Sequence, residues 1–90
     1  MTIEVLLKPK AIEILEAVGD RSMSIKELLD AVGGSATTIV KRVRELEEMG
    51  LVKVDFDLNF PFKKKVSITR KGLSVLKTIN KLKNKLDRGY

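Results

Sequence analysis

At Gly50 the spacing of apolar residues changes from helical to alternating, and that change fixes the order of elements this chain can adopt. Upstream, apolar residues recur every three or four positions, the period of an amphipathic helix. Ala11, Ile12, Leu15 and Val18 mark a first helix, with Lys10, Glu13 and Glu16 on its other side. Pro9 suits its first turn, where a missing N–H costs nothing, and Gly19-Asp20 ends it. Ser24-Ile25-Lys26-Glu27 has the form of a capping box, in which the Ser hydroxyl accepts from the third backbone N–H and the Glu reaches back. The helix it opens turns Ile25, Leu28, Leu29 and Val32 inward. Gly33-Gly34 stops that helix, because glycine takes left-handed backbone angles without a side-chain clash. Ser35 caps a third helix over residues 35–49, burying Ala36, Ile39, Val43 and Leu46. Residues 3–7, ahead of Pro9, read equally well as a helical turn or a short strand.

Downstream of Gly50, Val52, Val54 and Phe56 alternate with Lys53, Asp55 and Asp57, the pattern of a strand with one buried face. Leu58-Asn59-Phe60-Pro61-Phe62 reads as a loop. Residues 63–68 form the return strand, with Val66 and Ile68 inward, and Thr69 caps a last helix running to about Asp87. The expected fold is mainly α with a small β-hairpin wing, an α+β arrangement closed by an extended C-terminal helix. Residues 1–72 make the compact part and residues 73–90 the terminal helix, within one domain overall.

A chain of 90 residues buries only about two-thirds of the surface its unfolded form exposes, which leaves no room for a second core. The absence of Cys and His removes thiol nucleophiles, disulfides, the usual zinc ligands and the commonest general base. No paired carboxylate or Lys constellation replaces them, so neither an enzyme, a cofactor nor a metal site is expected. No run near the start resembles a secretory signal, and nothing approaches the roughly 20 apolar residues of a membrane span. The chain reads as soluble and cytoplasmic. The lack of Gln beside abundant Lys, Glu and Ile points to a thermophilic source. Charge is lopsided: residues 1–40 carry four basic and six acidic side chains, residues 41–90 fourteen basic and six acidic. A basic half on a small domain suits a polyanionic partner, although Lys-rich surfaces also serve solubility alone.

Two short helices joined by a tight Gly turn form the helix-turn-helix pattern, whose second helix enters the DNA major groove. Followed by a hairpin and a long helix, the order is that of a winged helix. The segment Thr38-Ile39-Val40-Lys41-Arg42-Val43-Arg44-Glu45-Leu46-Glu47-Glu48-Met49-Gly50-Leu51-Val52 resembles the recognition helix and first wing strand of MarR-like and ArsR-like regulators. Ile68-Thr69-Arg70-Lys71-Gly72 is similar to the Leu-Thr-x-Lys-Gly that opens the last helix in many of them. The resemblance covers roughly residues 9–76. It implies a winged helix-turn-helix transcriptional regulator of archaeal or bacterial type, associated with the nucleoid, with double-stranded DNA as partner. ArsR-type metal ligands are absent, and no effector-binding motif is present.

Helix N-termini attract phosphate through unpaired N–H groups and the dipole. Ser35, Thr37 and Thr38 stand in the first turn of the third helix, with Lys41 one turn beyond Thr37 and Arg42 one turn beyond Thr38. Arg or Lys on guanine O6 and N7 is the commonest specific base contact, so Lys41 and Arg42 are the expected base readers. Arg44 lies farther round and is expected to meet a phosphate. The competing expectation is a solvated face on which Lys41, Arg42 and Arg44 pair with Glu45, Glu47 and Glu48. Lys63, Lys64 and Lys65 stand at or after the hairpin tip, placed either to neutralise phosphates or to protect an edge strand. Phe60 and Phe62 are expected to wedge or to pack beneath the hairpin. Val75, Ile79, Leu82 and Leu86 form a two-heptad seam on the last helix, while Leu73 and Leu76 point elsewhere, onto the domain's own core. Use of both stripes implies a homodimer on a palindromic site. Two other functions fit the same pattern: an architectural, nonspecific chromatin protein, and a winged-helix assembly module of the transcription machinery.

Overall fold

The computed structural model describes residues 3–56 and 64–87. Among the described residues, five helices and three short strands follow in the order α1 (Glu4–Leu7), α2 (Ala11–Val18), β1 (Met23–Ser24), α3 (Ile25–Val32), α4 (Ala36–Glu48), β2 (Val52–Phe56), β3 (Lys64–Ile68) and α5 (Arg70–Asp87). This is the mainly helical winged arrangement that the change of period at Gly50 implies. Residues 3–7, open between helix and strand, contain the short helix α1. The expected loop of residues 58–62 lies outside the described residues, as do Phe60, Phe62 and Lys63.

The local chemistry sets the element boundaries. At α3 the capping box is complete: Ser24 Oγ accepts from Glu27 N at 3.1 Å, and Ser24 N donates to Glu27 Oε1 at 2.9 Å. Gly33 and Gly34, at φ 74° and 88°, make the turn into α4. Ser35 then caps α4, accepting from Thr38 N at 3.2 Å. Pro9 differs from its expected place. It stands two residues ahead of α2, and Lys10 is the N-cap with a left-handed φ of 70°.

The core gathers one face from each layer. Ile14, Leu15 and Val18 of α2, Leu28 of α3, and Ile39, Val43 and Leu46 of α4 meet Leu51, Val52 and Val66. Ile14 belongs to this set and Ile12 is only half-buried, a register detail that the spacing of Ile12, Leu15 and Val18 obscured. Ala36, expected inside, is exposed at the first turn of α4. The sheet is antiparallel in the order β1-β3-β2, with Val54 opposite Val66 and Met23 on the far side of Val66. Strand β1 escaped the sequence reading because two residues are too few to show alternation.

The start of α5 is bolted to the end of α4. Helix C-termini leave carbonyls without intrahelical partners, and here the Thr69-Arg70-Lys71-Gly72 turn supplies them. Thr69 Oγ1 donates to Gly50 O at 2.6 Å, Lys71 Nζ to Met49 O at 2.9 Å, and Thr69 N to Leu51 O at 3.0 Å. Thr69 Oγ1 also accepts from Gly72 N at 3.0 Å, capping α5. Gly72 is required for the approach, since a Cβ there would stand 2.1 Å from Leu51 O. The two motifs noted in the sequence, Met49-Gly50-Leu51 and Thr69-x-Lys71-Gly72, are therefore halves of one joint.

Beyond this joint α5 leans on the core through Val75, Leu76 and Ile79, all half-buried. Leu73, expected on the core beside Leu76, is exposed instead. From Asn80 onward every described residue of α5 is exposed, including Leu82 at 56% and Leu86 at 69%. The helix projects from the body of a molecule 48 Å long and 26 Å wide, steadied by Lys83 Nζ on Glu16 Oε2 at 2.6 Å. No described helix is long and apolar enough to cross a membrane.

Candidate nucleic-acid interface

Helix α4 turns Ile39, Val43 and Leu46 into the core, which leaves the opposite side outward. Ala36, Thr37, Val40, Lys41 and Arg44 share one exposed surface there. This face brings Thr37 and Lys41 together as expected. It also brings in Arg44, which a view of the helix as a simple wheel had set farther round. Val40, 41% exposed, sits among these polar groups. Its signal in the sequence was faint, a single apolar residue off the rhythm of Ile39, Val43 and Leu46.

A groove continues from this face toward the wing. Val40, Val43 and Arg44 form one wall, and Val54, Phe56 and Lys64 the other. Phe56 and Lys64 are opposite one another in the hairpin ladder, and both are exposed. The wing thus presents a cation and an aromatic ring beside the outward face of α4. Glu47 and Asp55 stand at the same groove and limit its positive character at that end.

Three residues expected to reach DNA point elsewhere or are occupied. The Arg42 side chain is only 12% exposed, its guanidinium donating from Nε to Pro9 O at 2.9 Å and from Nη1 to Glu45 Oε1 at 2.6 Å. Thr38 is half-buried and accepts a hydrogen bond from Ser35 Oγ at 3.0 Å. Lys65 Nζ lies 3.1 Å from Glu27 Oε1, tying β3 to the first turn of α3. The pairing between α4 cations and acids that the sequence left open is realised for Arg42 and Glu45.

These pairs perturb the acids. The Glu27 carboxyl is pulled down to about 2, first by the Ser24 N–H and then by the Lys65 ammonium. The Glu45 carboxyl is held below its ordinary value, first by Lys8 and then by Arg42. Both are therefore ionised at physiological pH.

The helix-turn-helix domain family matches residues 6–55, more than half of the chain. The chain belongs to that family. Among solved structures, the transcriptional regulator BldR from Sulfolobus solfataricus superposes with a TM-score of 0.81 at 29% identity, over 87% of this chain and 57% of that one. Bordetella bronchiseptica BpsR, whose DNA binding is regulated by 6-hydroxynicotinic acid, superposes at 0.83 with 16% identity, over 96% of this chain and 65% of BpsR. S. aureus MepR in its DNA complex superposes at 0.80 with 13% identity, over 93% of this chain and 73% of MepR. This helix-turn-helix chain thus spans somewhat under two-thirds of the length of BpsR and BldR. No match was found among curated proteins.

Proposed function

We propose that this helix-turn-helix protein is a DNA-binding transcriptional regulator that lays α4 in the major groove and the wing along the adjacent backbone or minor groove. The observation that carries the reading is the exposed face of Thr37, Val40, Lys41 and Arg44, contiguous with the Phe56–Lys64 side of the wing. Its chemistry suits a base edge. Lys41 and Arg44 donate to guanine O6 and N7, Thr37 donates or accepts, and the Val40 methyls suit the thymine C5-methyl. Ser35 and Thr37 at the helix start suit phosphate, where unpaired N–H groups and the dipole favour an anion. Lys64, and Lys63 beyond the described residues, add sequence-independent neutralisation. The family assignment and the superposition on a regulator in complex with DNA support the same placement.

The protein acts as a homodimer in this reading, held by the projecting part of α5. Val75 and Ile79 already lean on their own core, so the seam available to a second copy reduces to Leu82 and Leu86. Two exposed leucines one turn apart on a projecting helix favour a partner helix of the same kind.

Selection from a random-sequence duplex pool tests the assignment. Enrichment of one motif, arranged as two half-sites about 10 base pairs apart or a multiple, is the expected result. Retention of the whole pool without enrichment marks the architectural alternative, and retention of nothing at low salt marks an assembly module.

A further inference from the structure

Three consecutive residues of the link between α1 and α2 each reach the helix-turn-helix. Lys8 places Nζ 2.5 Å from Glu45 Oε2, Pro9 accepts from Arg42 Nε at 2.9 Å, and Lys10 donates from Nζ to Val32 O at 2.9 Å. Arg42 closes the set on Glu45. Lys10 does this from a left-handed backbone, a strained state for lysine that persists only when its surroundings hold it. Its stem lies over the α3–α4 turn, with Cε 3.2 Å from where a Gly34 Cβ would stand.

Outside its core face, helix α4 is therefore held by two sets of polar contacts. The joint with Thr69 and Lys71 fixes its C-terminal end, and the link grips its middle at Arg42 and Glu45 and its entry turn at Gly34. Ile39, Val43 and Leu46 seat the helix on the core, and the link limits how it tilts on that seat. Thr37 stands about 18 Å from Met49 along the axis, so a pivot of roughly 10° would carry it about 3 Å, the length of a hydrogen bond. A misplacement of that size removes base contacts while leaving the general attraction to phosphate intact.

We propose that residues 8–10 form a clamp that sets the tilt of α4 toward DNA, with Arg42 and Glu45 as positioning residues that do not themselves touch it. The inference rests on the DNA reading above. It assigns Arg42 a part opposite to that of a base reader, and it makes an acid on the helix favourable for binding.

That second consequence supplies the test. Glu45→Gln removes a negative charge from α4; if charge alone mattered, every duplex would bind more tightly. Loosening the clamp has the opposite sign and acts on one class of duplex. The full chain is titrated with a duplex selected from the random pool by the wild type, and with its scrambled version. The clamp predicts that Glu45→Gln weakens the selected duplex about tenfold and the scrambled one by less than about twofold, as loss of a charge-assisted hydrogen bond at one remove would do. Arg42→Lys follows the same pattern, with an unchanged dependence on salt. Circular dichroism verifies folding at the titration temperature; Lys8→Ala, a change at an exposed side chain, asks the same question should a Glu45 variant unfold. Tighter binding of Glu45→Gln to both duplexes overturns the clamp, as does a salt slope for Arg42→Ala that shrinks by about one, the mark of a lost phosphate contact. A wild type that binds neither duplex at low salt overturns the DNA reading and the clamp together, a result distinct from discrimination that survives in the clamp variants, which overturns the clamp alone.

Discussion

Individual residues divide here into those that face outward from α4 and those that hold it. Lys41→Ala and Arg44→Ala should each weaken a selected duplex by about 1–3 kcal/mol and relax preference at one position, as loss of a base contact does. Lys64→Ala should weaken all duplexes alike, since phosphates carry no sequence information. Filter binding on selected and scrambled duplexes separates the two patterns. A different test belongs to Glu27, whose carboxyl falls from 4.5 to about 2 on folding. A group lowered on folding adds stability above its unfolded value and loses it as pH falls toward the folded one. Acid titration of the melting temperature should therefore show a decline between about pH 4.5 and 2 that Glu27→Gln flattens, the two proteins converging near pH 2. Gly72→Ala should cost roughly 1–3 kcal/mol or more by thermal melting, because a Cβ has no room beside Leu51 O. Residue identity was legible in the sequence where backbone chemistry decides it, as at Ser24, Gly33, Ser35 and Thr69. It was illegible where tertiary partners decide it. Arg42 and Arg44 look alike as letters two positions apart, yet Pro9, distant in sequence, accepts from one of them and leaves the other outward.

At the scale of elements, helices α2 to α5 and strands β2 and β3 followed from apolar period and capping. Strand β1 did not, and neither did the offset of Pro9 from α2, because both depend on what lies across the sheet or the turn. The terminal helix shows the same limit. Its heptad spacing marked Val75, Ile79, Leu82 and Leu86 as one stripe, but the stripe is shared between two surfaces. The first two residues lean on the core and the last two stand clear of it. Leu82→Asp should accordingly dissociate a dimer without unfolding the monomer, since the charge lands in the seam and not in the core. Sedimentation velocity at tens of micromolar checks this; a wild type that sediments as a monomer, or a variant that unfolds, would place the stripe elsewhere. Two leucines make a weak seam, so dimerisation should be concentration-dependent and should strengthen when a two-half-site duplex binds both copies.

For the molecule as a whole, the uneven charge now has a location. The acidic N-terminal residues lie largely in α2 and α3, where Glu16 and Glu27 neutralise Lys83 and Lys65. The basic excess lies on α5 and β3, while Lys41, Arg42 and Arg44 of α4 are matched in number by Glu45, Glu47 and Glu48. The winged helix places α4 and the wing on one side, the C-terminal joint and the N-terminal link hold α4 against the core, and α5 extends from the body with Leu82 and Leu86 exposed. On the proposed reading, α4 carries the recognition of DNA sequence. Titration of the wild-type chain with its selected duplex and the scrambled control, across a range of salt concentrations, is the decisive measurement. Sequence recognition by α4 entails a log–log salt slope of about −4 to −7 and a selected duplex bound at least about a thousandfold more tightly than the control. A flat salt response, or equal affinity for the two duplexes at every salt concentration, would contradict it.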